Sequence, residues 1–293
     1  MKTKLIGVSP AYFISRFSDR FRADQMAEGL IQLAALGFTS FQPEVFHREY
    51  LADWRQQGAA RVAHQAEDLG LQASQFVAHF MLPAFADPEN LAADWALADM
   101  AVILEIVAHF NDCQTVTVPL GPFQAPPAPR SEDYRLYFGQ CVEKIGRLEE
   151  LVAETGRRLA LEIMPGAVIG GIDGFLRLAE SMGSGALGLN FDTGHAWAAK
   201  ENLYLVPAKL GPRLAGTHLC DNQTHANLSL GPGTGSIDWP RLIKALGAVG
   251  YQGPYDLEII CPTEDCADEY RRGRDFIAVS YTHLRAHETM TGI

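Results

Sequence analysis

Much of what would announce a function class is absent from this chain of 293 residues. Cysteine is scarce. Cys113, Cys141, Cys220, Cys261 and Cys266 are odd in number, widely scattered, and form no C-x-x-C pair. That excludes a disulfide framework and fits reduced thiols in a cytoplasmic protein. Basic residues are outnumbered, 24 Lys and Arg against 35 Asp and Glu, giving a net charge of −11 with no basic cluster. Binding driven by a phosphate backbone is therefore not expected. No apolar run approaches the length of a membrane span. The stretch after the two lysines of MKTKLIGVSP is too short for a signal peptide. The expected partner is a small molecule, with neither nucleic acid nor membrane involved; a homo-oligomer is compatible with all of this.

What is present alternates regularly. Short apolar runs at 5–9, 38–42, 71–79, 114–120, 158–164, 186–192, 214–220 and 255–261 read as eight strands buried on both faces. Helical patterns separate them. Leu91, Trp95, Ala98, Val102 and Ile106 form one expected apolar stripe. Asp238 is an expected N-cap with Pro240 in the first turn, and Trp239, Leu242, Ile243, Leu246 and Val249 face inward. Gly37, Gly70, Gly156 and Gly250 stand where helix-terminating glycines would. Eight β-then-α units predict an α/β fold, a single-domain (β/α)8 TIM barrel over 1–278. The Pro-rich segment 121–130 then falls on the C-terminal rim, as a lid or a passive loop. The eighth helix is expected over 266–278. Residues 279–293 are set apart, because VSYTHLRAHET resembles translated read-through of a sequencing adapter and is expected to be a non-native tail. His283 and His287, spaced i, i+4 as a metal pair could be, fall in that tail.

Four apolar runs each end on a metal-ligand side chain: Glu162, Asp192, His218 and Glu258, at the expected ends of strands five to eight. None of these groups belongs in a core unless something offsets its desolvation. Three carboxylates and one imidazole make a hard, oxygen-rich set suited to one divalent ion, Mn²⁺, Mg²⁺ or Co²⁺, with Zn²⁺ also admissible. In a barrel they converge where such folds do their chemistry.

The segments ALEIMPG, NFDTGHAW, GTHLCDN, GPGTGSIDW and YDLEI, in this order, resemble the xylose-isomerase-like TIM-barrel superfamily, in its sugar phosphate isomerase/epimerase and endonuclease-IV-like branch. The resemblance implies that Glu162, Asp192, His218 and Glu258 are metal ligands and that Glu162 and Glu258 also act as the catalytic acid/base pair. It implies a substrate-binding role for His195. It implies a metal-dependent isomerase or epimerase of a sugar or sugar-like keto compound, working through an enediolate. A dehydratase of inosose or dehydroshikimate type stays open, because it begins with the same proton abstraction. An AP-endonuclease-like phosphodiesterase fits worse: VTVPLGPF after strand four carries no histidine, and QTHAN stands where that branch has D-x-H. Val168 and Thr224 stand where free-sugar ketose 3-epimerases carry a glutamate and an arginine, so no particular ketohexose is implied.

Softer candidates surround this set. His79 and Glu44 end strands three and two and could reach substrate. Asp221 and Asn222 either orient His218 from its second shell or shape the turn. His225 is either a further ligand or a solvated loop residue, and the glycine-rich 231–235 lacks the lysine of a P-loop and reads as a tight turn. His47, His64 and His109 read as surface or packing residues.

Overall fold

The computed structural model describes residues 4–291, with side chains described through Thr282. Its strands are β1 (Ile6–Val8), β2 (Ser40–Phe41), β3 (Gln72–Ala73), β4 (Phe76–Val77), β5 (Thr115–Leu120), β6 (Arg158–Ile163), β7 (Gly188–Asp192), β8 (Leu214–His218) and β9 (Tyr255–Leu257). The pairing is parallel in two sheets, ordered β3-β2-β1-β9 and β4-β5-β6-β7-β8. Only Ser74 and Gln75 separate β3 from β4, so these are two halves of one stave. Parallel bridges at Glu44–Val77 and Leu219–Leu257 join the sheets along both seams. The result is the expected barrel of eight staves.

Helices flank the strands, among them Ala23–Ala35, Ala59–Leu69, Trp95–Val107, Ser131–Glu154, Gly171–Ser181 and Trp239–Ala248. Their apolar faces make one continuous core with the outward faces of the strands, including Leu30, Ile103, Ile145, Phe175 and Leu242. Asp238 caps its helix by accepting from the Arg241 backbone N–H, and the four terminating glycines have φ of 81°, 67°, 75° and 71°. Of the stripe expected from Leu91 to Ile106, Leu91 and Ile106 are buried and Trp95 and Val102 pack partly buried against the core, but the placing of Ala98 is corrected. A short helix Pro88–Ala92 ends where Ala93 turns extended, and the next helix restarts at Trp95. The break resets the phase, so Ala96, Met100, Ile103 and Val107 are buried while Ala98 is exposed. The last helix runs Cys266–Thr291, past the expected end at 278. The side chains of His283 and His287 lie outside the described set. Among the described residues, no helix is long and apolar enough to cross a membrane.

Parts of the barrel interior are polar, and small residues make room for this. The Asp256 carboxylate accepts from Gln42 Nε2 at 2.8 Å, Ser74 Oγ at 2.8 Å and Ser40 Oγ at 3.4 Å. A separate group joins Thr117 Oγ1 to Gln75 Oε1 at 2.6 Å and Gln75 Nε2 to Asn190 Oδ1 at 2.8 Å. Gly7 of β1 pairs with Ser40 on one side and Asp256 on the other. A Cβ there would stand 2.1 Å from Asp256 Oδ1 and 2.2 Å from Ser40 Oγ. Gly7→Ala is expected to force this buried network apart and cost about 1–3 kcal/mol, read as a lower urea midpoint at unchanged m-value.

Candidate metal centre

Register brings the four expected ligands together. In the β7–β8 pair Leu189 faces Leu214, but the next pairing is Asn190 with Gly216, leaving Ala215 as an extra residue. That irregularity puts Asp192 directly opposite His218. Thr193 fastens the two strand ends: its Oγ1 donates to the Cys220 carbonyl at 2.7 Å and accepts from the Cys220 N–H at 2.9 Å. Glu162 is the fifth residue of β6, and Glu258 lies one residue beyond β9. The Glu258 N–H donates to the Leu219 carbonyl at 3.0 Å, which holds its backbone against the His218 segment.

One ligand atom from each of the four residues lies within 4.8 Å of the others. His218 Nδ1 is 2.7 Å from Glu258 Oε2, 3.2 Å from Glu162 Oε1 and 3.9 Å from Asp192 Oδ2. Its other nitrogen, Nε2, is 2.7 Å from Gln42 Oε1. An amide oxygen only accepts, so this contact places a proton on Nε2; Nδ1 donates to the carboxylates when no ion is present and would turn its lone pair to a bound ion. Gln42 is itself oriented by its N–H donation to Asp256. A ligand histidine held in this way suits a metal.

The electrostatics fit a cation as well. Burial would lower the His218 imidazole pKa, but Glu162 and Glu258 outweigh it and carry it well above its ordinary value. Burial pushes Glu162 and Glu258 up; His218 in turn holds both below the usual carboxylate range. Asp192 stays well above its ordinary value through burial, reinforced by the two glutamates. Its Oδ1 accepts from the Gly194 and His195 N–H groups at 2.6 and 2.9 Å, whereas Oδ2 is buried and makes no hydrogen bond. An orphaned carboxylate oxygen aimed at three other ligand atoms is the arrangement a divalent ion would satisfy. Glu162, Asp192, His218 and Glu258 are thus the residues that could hold it.

His195 reaches the same cluster from the helix Thr193–Ala198, with Nε2 3.4 Å from Glu162 Oε1 and 3.3 Å from Asp192 Oδ2. Burial would lower its pKa, but Asp192 and Glu162 carry it to about 10. Asn227 stands 3.3 Å from His195 Nδ1. Gly194 permits this approach, since a Cβ there would come within 2.2 Å of Asn227 Oδ1. His79 lies farther out, its Nδ1 3.8 Å from Glu44 Oε1. Glu44 is buried with Oε2 lacking a partner, and burial holds its carboxyl well above the usual range.

The hydrogen bonds of Asp221 and Asn222 run within their own loop and its neighbours. Asp221 accepts from the Asn222, Gly233 and Ile237 N–H groups and from Trp239 Nε1 at 2.8 Å. Asn222 accepts from the Leu228 N–H. A buried carboxylate takes the donors the local chain offers, and here these belong to the 231–235 turn and the following helix. His225, His64 and His109 are exposed, and His47 is half-buried. The sequence reading missed Gln42, Asp256 and Asn227. Asp256 left a trace, because it shares one strand face with Glu258 at i, i+2.

The xylose isomerase-like TIM barrel family model matches residues 30–279. The chain belongs to that family. A stretch of 84 residues is 31% identical to the uncharacterized protein y4fM of Sinorhizobium fredii, covering 29% of this chain and 27% of that protein. The chain therefore spans well under two thirds of this relative's length in the match. Among solved structures, L-ribulose 3-epimerase superposes with a TM-score of 0.75 at 18% identity, over 99% of each chain. 3-Keto-D-glucoside 4-epimerase YcjR from E. coli gives 0.72 at 19% identity, over 94% of this chain and 100% of that one. The IolI protein with a bound zinc atom gives 0.73 at 14%, over 95% and 99%. At these identities the likeness establishes the barrel.

Gln42→Leu would leave His218 Nε2 without its acceptor. Co²⁺ binding, followed by titration calorimetry, is expected to weaken by about 10- to 100-fold.

Proposed function

We propose that this family member is a metal-dependent isomerase or epimerase of a sugar or sugar-like keto compound. Glu162, Asp192, His218 and Glu258 would hold one divalent ion, Mn²⁺, Mg²⁺, Co²⁺ or Zn²⁺. The observation that carries the reading is the pair of glutamates meeting the same His218 nitrogen from two strands, at 3.2 and 2.7 Å. A bound divalent ion would polarise the substrate carbonyl and make the neighbouring C–H acidic.

The chain's own residues supply the proton transfers. Glu162 and Glu258 are held as carboxylates by His218 here, and would be by a bound ion in its place, so either can accept the proton. Abstraction by one and return by the other, on the opposite face of the enediolate, inverts a centre; return to the adjacent carbon moves the carbonyl. His195, within reach of Glu162 and Asp192, is placed to donate to a substrate oxygen. The rim around His79 and Glu44 would orient the rest of the sugar. The shared scaffold of the three solved structures and the names of the two epimerases among them support the same chemistry class. A cytoplasmic setting with a small-molecule partner accords with the acidic composition and the free cysteines.

Glu162→Gln and Glu258→Gln are each expected to reduce solvent-deuterium incorporation into a panel of ketoses and inososes by about 100- to 10,000-fold, with circular dichroism unchanged. Near-normal exchange in either variant would defeat the two-carboxylate mechanism. A product with new ultraviolet absorbance would mark loss of a β-hydroxyl and make the enzyme a dehydratase. Chelation is expected to abolish exchange and lower the melting temperature, with both restored by added Mn²⁺ or Co²⁺.

A further inference from the structure

Beside the metal centre the rim carries a pocket that the proposed proton transfer does not use. It has a volume of about 580 Å³ and is lined by Phe46, Arg48, His79, Phe80, Leu82 and Trp95 among others. Three segments build it: the loop after β2, which also carries Glu44, the 3₁₀ turn His79–Phe85 after β4, and Trp95 at the start of the helix Trp95–Val107. His79 is the shared wall. One edge of its ring faces Glu44 Oε1 at 3.8 Å, and its face stacks on Phe46 with centroids 4.2 Å apart and planes 11° apart. Another hollow, of about 570 Å³, lies between residues 70–73 and 109–112 at the opposite end of the strands. It cannot serve the same ligand.

The pocket's chemistry narrows what it takes. Its one guanidinium is already matched: Arg48 donates to both oxygens of Asp99, at 2.5 and 3.0 Å, and lies 5.5 Å over the Trp95 ring. The nearby Lys144 ammonium is spent on the backbone carbonyls of Ala84 and Asn90, at 3.1 and 2.6 Å. Burial lowers the His79 pKa, which disfavours a charged ring there. His47, also in the lining, has its Nε2 3.7 Å from Asp19 Oδ2. A phosphate entering here would meet mostly rings and aliphatic carbon, with no uncommitted guanidinium or ammonium to pair with. A bare sugar could lay one C–H face on a ring but would leave the rest of the walls wet. A flat apolar group would bury them and stack on the Phe46–His79 platform or on Trp95.

Building on the keto-sugar reading above, we infer that the pocket is a substituent subsite: the ligand is an uncharged sugar bearing a flat apolar group, such as an aryl glycoside, and not a sugar phosphate. The sugar ring lies over the four metal ligands and the substituent extends past His79 into the pocket.

The test is a binding comparison on the Co²⁺-loaded protein, by titration calorimetry with saturation-transfer NMR. The probes are phenyl and methyl β-D-glucoside, and fructose against fructose 6-phosphate. Phenyl glucoside is expected to bind at least about tenfold tighter than methyl glucoside, with saturation transfer strongest at the aromatic protons. That ratio is expected to fall toward one in Trp95→Ala and in Phe46→Leu, two variants on different elements, so misfolding of one still leaves the other. Equal affinity of the two glucosides, a ratio unchanged in the folded variants, or tighter binding of the phosphorylated ketose would overturn the inference. Deuterium exchange separates this from the catalytic reading. Exchange without aryl preference sinks the subsite alone; aryl preference without exchange of any keto sugar sinks the proposed reaction.

Discussion

Three carboxylates gathered around one imidazole nitrogen set the terms for everything at the C-terminal rim. At separations of 4.8 Å or less, each carboxylate pair repels by on the order of 3–4 kcal/mol at an effective dielectric near 20. Such a cluster persists only where positive charge answers it and the backbone leaves no room to splay. The strand ends provide the second condition. Asp192 and His218 sit in register, Thr193 ties their strands together, and Glu258 is held by the Leu219 carbonyl. The first condition gives the rim its chemical bias, because whatever supplies the charge also gains the strongest field in the molecule.

Below the rim, the barrel interior holds polar groups where many such barrels stack branched apolar side chains. Ser40, Gln42, Ser74 and Asp256 form one group, and Gln75, Thr117 and Asn190 form the other. The break between β3 and β4 assigns them: Ser74 turns to the first and its neighbour Gln75 to the second. The first group rises through Gln42 to His218, so the tautomer of one imidazole is set from two layers down. Gly7 is the concession the backbone makes to that arrangement.

The architecture and the four central residues were legible because apolar runs of strand length ended, one after another, on groups that do not tolerate burial alone. The boundaries were legible at Asp238 and at the four glycines, where local chemistry dictates conformation. Other features were not. The contact of Gln42 with His218 spans 176 residues and depends on the curvature that brings β2 opposite β8. The helix phase after Ala93 hinges on one extended residue in a stretch whose composition favours helix throughout. Asp221 could be read either way, since a loop carboxylate beside a ligand histidine looks the same whether it turns toward the histidine or back to its own loop. Periodicity and local capping are properties of neighbours in sequence; tautomers, register shifts and loop closure are properties of the closed barrel.

Asp192 does two things at once. One oxygen receives the first amides of the helix Thr193–Ala198 while the other faces the ligand cluster. The helix start and the ligand set are therefore one mechanical part. A longer acid could not keep both contacts, and a neutral amide would present the wrong group to one side or the other. The amide protons of Gly194 and His195, anchored to that same carboxylate, become natural listening posts. Any redistribution of its electrons on one side is felt as a change in hydrogen-bond strength on the other, two covalent bonds away through Cγ.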